Sequence, residues 1–210
     1  RTGGDLLWES YVERNGDLVL LREFYKTRCH LFSLKEKLIF YLTQWMLHNL
    51  SAIIWSTEWQ QNMFMEPYAL QNQKHFIVEN YYGAKLVSQE PKEKNFIATT
   101  RKLKWKNILA LEKVFQGSTV EGVGAKLDME AIPHEQFLEK LKQAYAVIIV
   151  SLGDISPNTI LDAIRCNKPF ILTNENGLTP RIQEAGLFID PQNTEDIKDK
   201  VIWLSQPENY

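Results

Sequence analysis

Three short loops in the second half of the sequence gather groups that can act on a phosphorylated ligand. Arg101 follows the apolar run Phe96–Ile97–Ala98–Thr99 almost at once, and Lys106 stands five residues later, with Lys102 and Lys104 between them. An arginine grips phosphate through two parallel N–H groups, and a lysine adds a compact point charge. The second loop, Ser151–Leu152–Gly153–Asp154–Ile155–Ser156–Pro157–Asn158, joins the run 146–150 to a helix. Ser156 is a natural N-cap, and Pro157 suits a first helical position. The amides of Asn158 and Thr159 would then point into the loop at the positive end of the helix dipole, a ready-made phosphate site. Asp154 precedes that helix and Asp162 lies on it, eight residues later. The third loop, Thr173–Asn174–Glu175–Asn176–Gly177, is polar and ends in a glycine that would let a ligand approach the backbone. Viewed singly, each loop has a plainer reading: a solvated basic turn, an Asp154 that only solvates its loop, an Asp162 on an exposed helix face, a simple turn.

The elements around these loops fall into a pattern. Strands are expected at 96–99, 146–150, 170–172 and 187–189. Helices are expected at 105–115, 133–144, 157–165, 180–184 and 194–204. The run Ala146–Val147–Ile148–Ile149–Val150 is continuously apolar, as in a strand buried on both faces of a parallel sheet. Strands alternating with helices of about ten residues mean βαβ units, so the fold class is α/β with a Rossmann-like parallel sheet and helices on both faces. Ligands of such sheets bind beyond the carboxyl ends of the strands, where the three loops lie.

The first half reads as aromatic-rich and irregular. A capping box at Ser33–Leu34–Lys35–Glu36 predicts a helix over 34–49, followed by a strand at 52–56, a helix at 58–65 and a strand at 75–79. The apolar stretch 38–47 is too short to span a membrane and reads as a buried or half-buried helix. The polar, proline-containing stretch 85–94 is the linker candidate. It separates a partial α/β portion, 1–84, from a second domain, 95–210.

The composition is ordinary for a globular protein: 210 residues, 44% hydrophobic, with a formal net charge of −2. That charge speaks against a general nucleic-acid binder. Cys29 and Cys166 have no metal or redox spacing and read as buried free thiols. With no basic-then-apolar leader in the sequence, they fit a cytoplasmic location. His134 opens a helix and reads as a surface residue, while His30, His48 and His75 have no motif around them.

Together these residues resemble the C-terminal domain of the retaining glycosyltransferases of family 4, which have the GT-B fold. That family places an Arg and a Lys five apart after the domain's first strand, as Arg101 and Lys106 stand here. It carries two acidic residues separated by seven others, usually both Glu; here they are Asp154 and Asp162. A small-residue-plus-proline step matches Asn167–Lys168–Pro169, and a late segment matches Gly186–Leu187–Phe188–Ile189–Asp190–Pro191. In the first half, Gly3–Glu9 resembles the segment after a middle strand of the N-terminal domain. Ile54–Trp59 resembles its late strand, and Glu79–Gly83 its hinge.

The resemblance implies transfer of a sugar from a nucleoside-diphosphate sugar to a saccharide or lipid-linked saccharide, with retention of configuration. Catalysis would fall to Arg101, Lys106 and Asp154, and donor binding to Ser156, Asn158, Thr159 and Asp162. Neither a metal nor a cofactor is implied, since the nucleotide sugar is the donor substrate. Peripheral membrane association and a homo-oligomer are both compatible with it. The family's first strands and its last crossing helices have no counterpart in the sequence. The expectation that follows is weak nucleoside-diphosphate binding without useful transfer, and the alternative is a catalytically silent binding or interaction module. A sugar-nucleotide epimerase, another two-domain sheet protein, would instead need catalytic carboxylates and a histidine in its cleft.

Overall fold

The computed structural model describes residues 4–98 and 101–210. Gly3 and Thr99, which figured in the readings above, lie outside the described residues. The first half contains α1 (Leu6–Asn15), α2 (Leu21–Arg28), α3 (Leu34–His48), β1 (Ala52–Trp55), α4 (Glu58–Met65) and β2 (Lys74–Ile77). The second contains β3 (Lys94–Ala98), α5 (Ile108–Phe115), α6 (Ser118–Gly122), β4 (Ala125–Asp128), α7 (His134–Gln143), β5 (Ala146–Ile149), α8 (Asn158–Arg165), β6 (Phe170–Thr173), α9 (Thr179–Ile182), β7 (Leu187–Ile189) and α10 (Thr194–Leu204).

The second half is an α/β unit built on a parallel five-stranded sheet of order β4-β3-β5-β6-β7. Strand residues alternate between two buried layers, as the two-residue period requires. Ala146, Ile148 and Val150 join Phe96, Leu111 and Val201 in one core, beneath α5, α6 and α10. Val147 and Ile149 join Ile97, Leu141, Ile160 and Leu172 in the other, beneath α7, α8 and α9. The strand order reverses between β3 and β5, and at such a switch point the loops diverge and leave a crevice at the carboxyl ends.

The first half departs from its reading as irregular. Asp5 caps α1 by accepting from the Trp8 amide, and Gly16 ends the helix at a φ of 68°. A residue without Cβ adopts that left-handed angle freely. Half of the buried residues of the core here are rings, among them Trp8, Tyr11, Phe24, Tyr25, Trp55, Phe64 and Tyr68. β1 and β2 pair in parallel as a two-stranded sheet. α3 keeps its predicted capping box, with Ser33 and Glu36 bonded reciprocally. Of the two readings of 38–47, buried or half-buried, the helix is half-buried. Leu47, Ile39 and Phe40 pack inward, whereas Leu34, Leu38, Tyr41, Leu42, Trp45 and Met46 are exposed, because the helix lies on the core by one stripe only. Cys166 is buried, but Cys29 is only half-buried. Among the described residues no helix is long and apolar enough to cross a membrane.

Several boundaries also differ in the second half. The helix expected over 105–115 begins at Ile108, because Asn107 takes a φ of 57° between it and a 3-10 turn at Lys104–Lys106. α6 and β4 occupy a stretch left unassigned. Ser156 does not cap α8, which starts at Asn158 with Pro157 in the cap position and no side-chain cap. The stretch 85–94 does not hang free. Leu86 N donates to Arg165 O at 2.7 Å, Gln89 N donates to Lys142 O at 2.9 Å, and Lys94 already belongs to β3.

Candidate active site

The two halves meet where the loops after β3 and β5 press on α1 and α2. Gly153 makes this approach possible. A Cβ there would lie 2.8 Å from Leu21 Cβ and 3.2 Å from the Trp8 ring, inside real contact distances. Leu21 N donates to Leu152 O at 3.1 Å, and Leu152 N donates to Trp105 O at 2.8 Å. Trp8 and Trp105 pack with their ring centroids 5.5 Å apart. The sequence therefore places a small backbone step beside the catalytic candidates so that two indoles can clamp the loops.

Above this clamp runs a cleft with two lobes. One, of about 400 Å³, is walled by Asp5, Glu9, Ser56 and Asn80 from the first half and by Arg101, Lys106 and Asp154 from the second. The other, of about 440 Å³, runs over the start of α8 past Asn158, Thr159 and Asp162, with Ile132, His134 and Phe137 opposite. Arg101, Lys106, Asp154 and Ser156 border both lobes. All seven residues singled out in the sequence thus line one cleft.

Their interactions are specific. Lys106 is nearly buried, and its Nζ donates to Asp154 Oδ2 at 2.6 Å while lying 4.2 Å from the centroid of the Trp105 ring. A cation taken out of water requires such partners, because the desolvation of a lone ammonium costs several kcal/mol. Asp162 is buried rather than on an exposed face, and both of its oxygens are engaged. Oδ1 accepts from Arg165 Nη1 and Oδ2 contacts His134 Nε2, each at 2.9 Å. The His134 side chain is 66% exposed, as its reading as a surface residue implies, yet its ring reaches a cleft carboxylate. Asn80, from the segment likened to a hinge, donates through Nδ2 to Ser156 Oγ at 3.1 Å and to Asn158 Oδ1 at 2.7 Å. Ser156 therefore serves the junction between halves instead of capping α8.

The third loop lines neither lobe. It backs the site, with Asp154 N donating to Glu175 O at 2.8 Å and Asp154 forming a bridge to Asn176. Glu175 is itself buried at the junction, 3.1 Å from Arg22 of α2. Burial pushes its carboxyl up to about 6, against the pull of Arg22.

Sequence reasoning missed Asp5 and Glu9 on the first-half wall. Asp5 is buried and accepts from Trp8 N at 2.9 Å and from Tyr25 Oη at 2.7 Å; Tyr25 Oη in turn contacts Tyr68 Oη at 2.7 Å. Burial raises the Asp5 carboxyl despite those hydrogen bonds. The signal that could have found both was local: an Asp cap, an acidic residue one turn later and a glycine after ten helical residues.

No family model matches the chain, and no curated protein matches it in sequence. Solved structures do. Sucrose-phosphate synthase from Thermosynechococcus elongatus superposes with a TM-score of 0.61 at 14% identity, over 81% of this chain and 55% of that one. TarM of S. aureus, in complex with Fondaparinux, alpha-GlcNAc-glycerol and UDP, gives 0.62 at 16% identity, over 84% and 40%. The lipopolysaccharide outer core galactosyltransferase WaaB gives 0.56 at 14% identity, over 97% and 70%. At these identities the likeness is one of fold: a Rossmann-like α/β architecture shared with GT-B glycosyltransferases. The chain spans about half the length, or less, of the first solved structures it matches.

Proposed function

We propose that the protein transfers a sugar from a nucleoside-diphosphate sugar to a saccharide or lipid-linked saccharide, with retention of anomeric configuration and without a metal. The supporting observation is the convergence of Arg101, Lys106, Asp154 and the start of α8 on one cleft, from loops far apart in sequence. The diphosphate would lie between Arg101, Lys106 and the amides of Asn158 and Thr159. As it leaves it gathers negative charge, and fixed cations aimed at that charge lower the barrier. A diphosphate at Lys106 competes with Asp154 for the ammonium, which frees the Asp154 carboxylate for hydroxyls of the donor sugar. Asp162 would accept from the ribose hydroxyls in exchange for its contact with His134, keeping Arg165 on its other oxygen.

Binding without transfer is the second reading. A two-walled cleft speaks for transfer, because Asp5, Glu9, Ser56 and Asn80 face the donor loops across it. A thermal-shift panel of UDP-, GDP- and ADP-sugars, followed by a transfer assay with the stabilising donor, separates the two. Stabilisation with product formation supports transfer, stabilisation alone supports the binding module, and no stabilisation by any donor sinks both.

A further inference from the structure

Away from the cleft, α3 carries a continuous apolar stripe that the described residues leave uncovered. Leu34, Leu38, Tyr41, Leu42, Trp45 and Met46 are each 49–87% exposed. Their spacing of three and four residues puts them on one side of the helix. The opposite side is already occupied, since Ile39, Phe40 and Leu47 pack on the ring cluster. A helix that is apolar on both sides calls for a second apolar partner, and the described residues supply only the first. The stripe also has cationic borders. At about 100° per residue, Lys35 flanks it on one side and Lys37 and His48 on the other, all exposed. Between Glu23 and Glu58 the one carboxylate is Glu36, which is buried against Ser33 and Arg14. Lys35 and Lys37 form no ion pair with a described residue.

We infer that α3 docks the protein on an anionic lipid surface, lying in the plane of the membrane with its stripe against the acyl chains. Fifteen residues make a helix of about 22 Å, and no described helix is long and apolar enough to cross a bilayer, so α3 lies on the surface. Leu34, Leu38, Leu42 and Met46 supply apolar area, while Tyr41 and Trp45 place amphipathic rings at headgroup depth. Lys35 and Lys37 stand beside the stripe at the level of the lipid phosphates, where each lysine adds attraction. The whole protein has a formal net charge of −2, so an anionic surface favours only an orientation that turns this cationic face toward it. A second copy is a poorer occupant: laid along the same stripe, it offers these lysines no free carboxylate. Docking requires no nucleotide, so it stands apart from the donor reading above.

The test is flotation of residues 1–210 with vesicles of phosphatidylcholine alone and of phosphatidylcholine with roughly one-third phosphatidylglycerol. The protein should float with the anionic vesicles, stay behind with the neutral ones, and bind less as salt is raised. Leu38→Ser/Trp45→Ser should weaken binding to the anionic vesicles by about tenfold or more. Lys35→Glu/Lys37→Glu should do so by a similar factor, through charge alone. Leu42→Ser should weaken binding by about threefold or more while unfolding at the wild-type denaturant concentration, which separates docking from folding. Leu109→Ser removes a leucine of α5 that is 78% exposed, and it should leave vesicle binding unchanged. Wild-type protein that ignores the anionic vesicles, or binds neutral ones equally, overturns the inference. Binding that the serine pair or the glutamate pair leaves unchanged also overturns it. A wild-type dimer in sedimentation that becomes monomeric in Leu38→Ser/Trp45→Ser assigns the stripe to a second copy and overturns it as well.

Discussion

In the sheet of the second half, residues such as Ala146 to Val150 alternate between two helical layers, and each buries an aliphatic side chain against several others. The first half reaches burial by another route. Tyr11, Phe24, Phe32, Tyr25, Phe40, Tyr68 and Phe64 form a chain of rings with centroids 4.9–6.3 Å apart. A pleated sheet fixes loop positions through many weak, repeated contacts. A ring cluster fixes them through few contacts, each tilted or stacked pair adding about 0.5–1.5 kcal/mol beyond its buried area. The loops proposed to hold the donor grow from the first kind of scaffold and the opposite wall from the second. The cleft is thus a junction between a periodic half and an aperiodic one.

The sharpest test of that division of labour is Lys106→Ala. If the periodic half carries the charge chemistry, turnover should fall about 10²–10³-fold in a transfer assay. The pair at 2.6 Å with Asp154 motivates this, and near-wild-type turnover would break the assignment. Next in size are stability effects. Trp55 is fully buried in the ring cluster, and Trp55→Ala should cost about 3–5 kcal/mol, whereas Ile148→Val in the sheet should cost about 0.5–1.5. Denaturant unfolding measures both, and equal losses would erase the contrast.

A smaller effect lies at the seam. The Glu175 carboxyl is raised from an ordinary 4.5 to about 6 by burial, so the folded state holds its proton more tightly than the unfolded chain does. Its stabilising contribution is complete below about 4.5 and is lost as the pH rises through about 6, a drop of about 2 kcal/mol. Glu175→Gln should flatten this part of the stability profile and raise Tm at pH 7; a profile identical to wild type would contradict it. The smallest effect belongs to the outward stripe of α3. Leu42→Ser should shift stability by less than about 0.5 kcal/mol, because the side chain is 55% exposed. A larger loss on unfolding would mean that this stripe supports the ring cluster after all.

The same contrast explains what the sequence disclosed. Ala146–Val150 announces a doubly buried strand by composition alone, and the Arg101/Lys106 and Asp154/Asp162 spacings survive into one cleft because short loops follow fixed strands. β4 escaped notice because Ala125–Asp128 is short, lies at the sheet edge and is only half-buried along its length. α1 and α2 were hidden by aromatic residues that favour no single period, although Asp5 and Gly16 mark the ends of α1. That α3 turns Trp45 outward follows from which stripe meets Phe32 and Tyr68, and no local signal carries that choice. Glu9 belongs to the same class. Its place beside Lys106 arises from two indoles, Trp8 and Trp105, that lie far apart in the chain and meet across Gly153.

The most direct measurement is a calorimetric titration of the wild-type protein and Asp162→Ala with UDP, GDP and ADP. The cleft over α8 should bind at least one of these at wild type, and Asp162→Ala should weaken that binding by about tenfold or more, the cost of leaving ribose hydroxyls unpaired. Binding that is indifferent to Asp162, or no binding of any of the three, would contradict the donor site at the centre of this account.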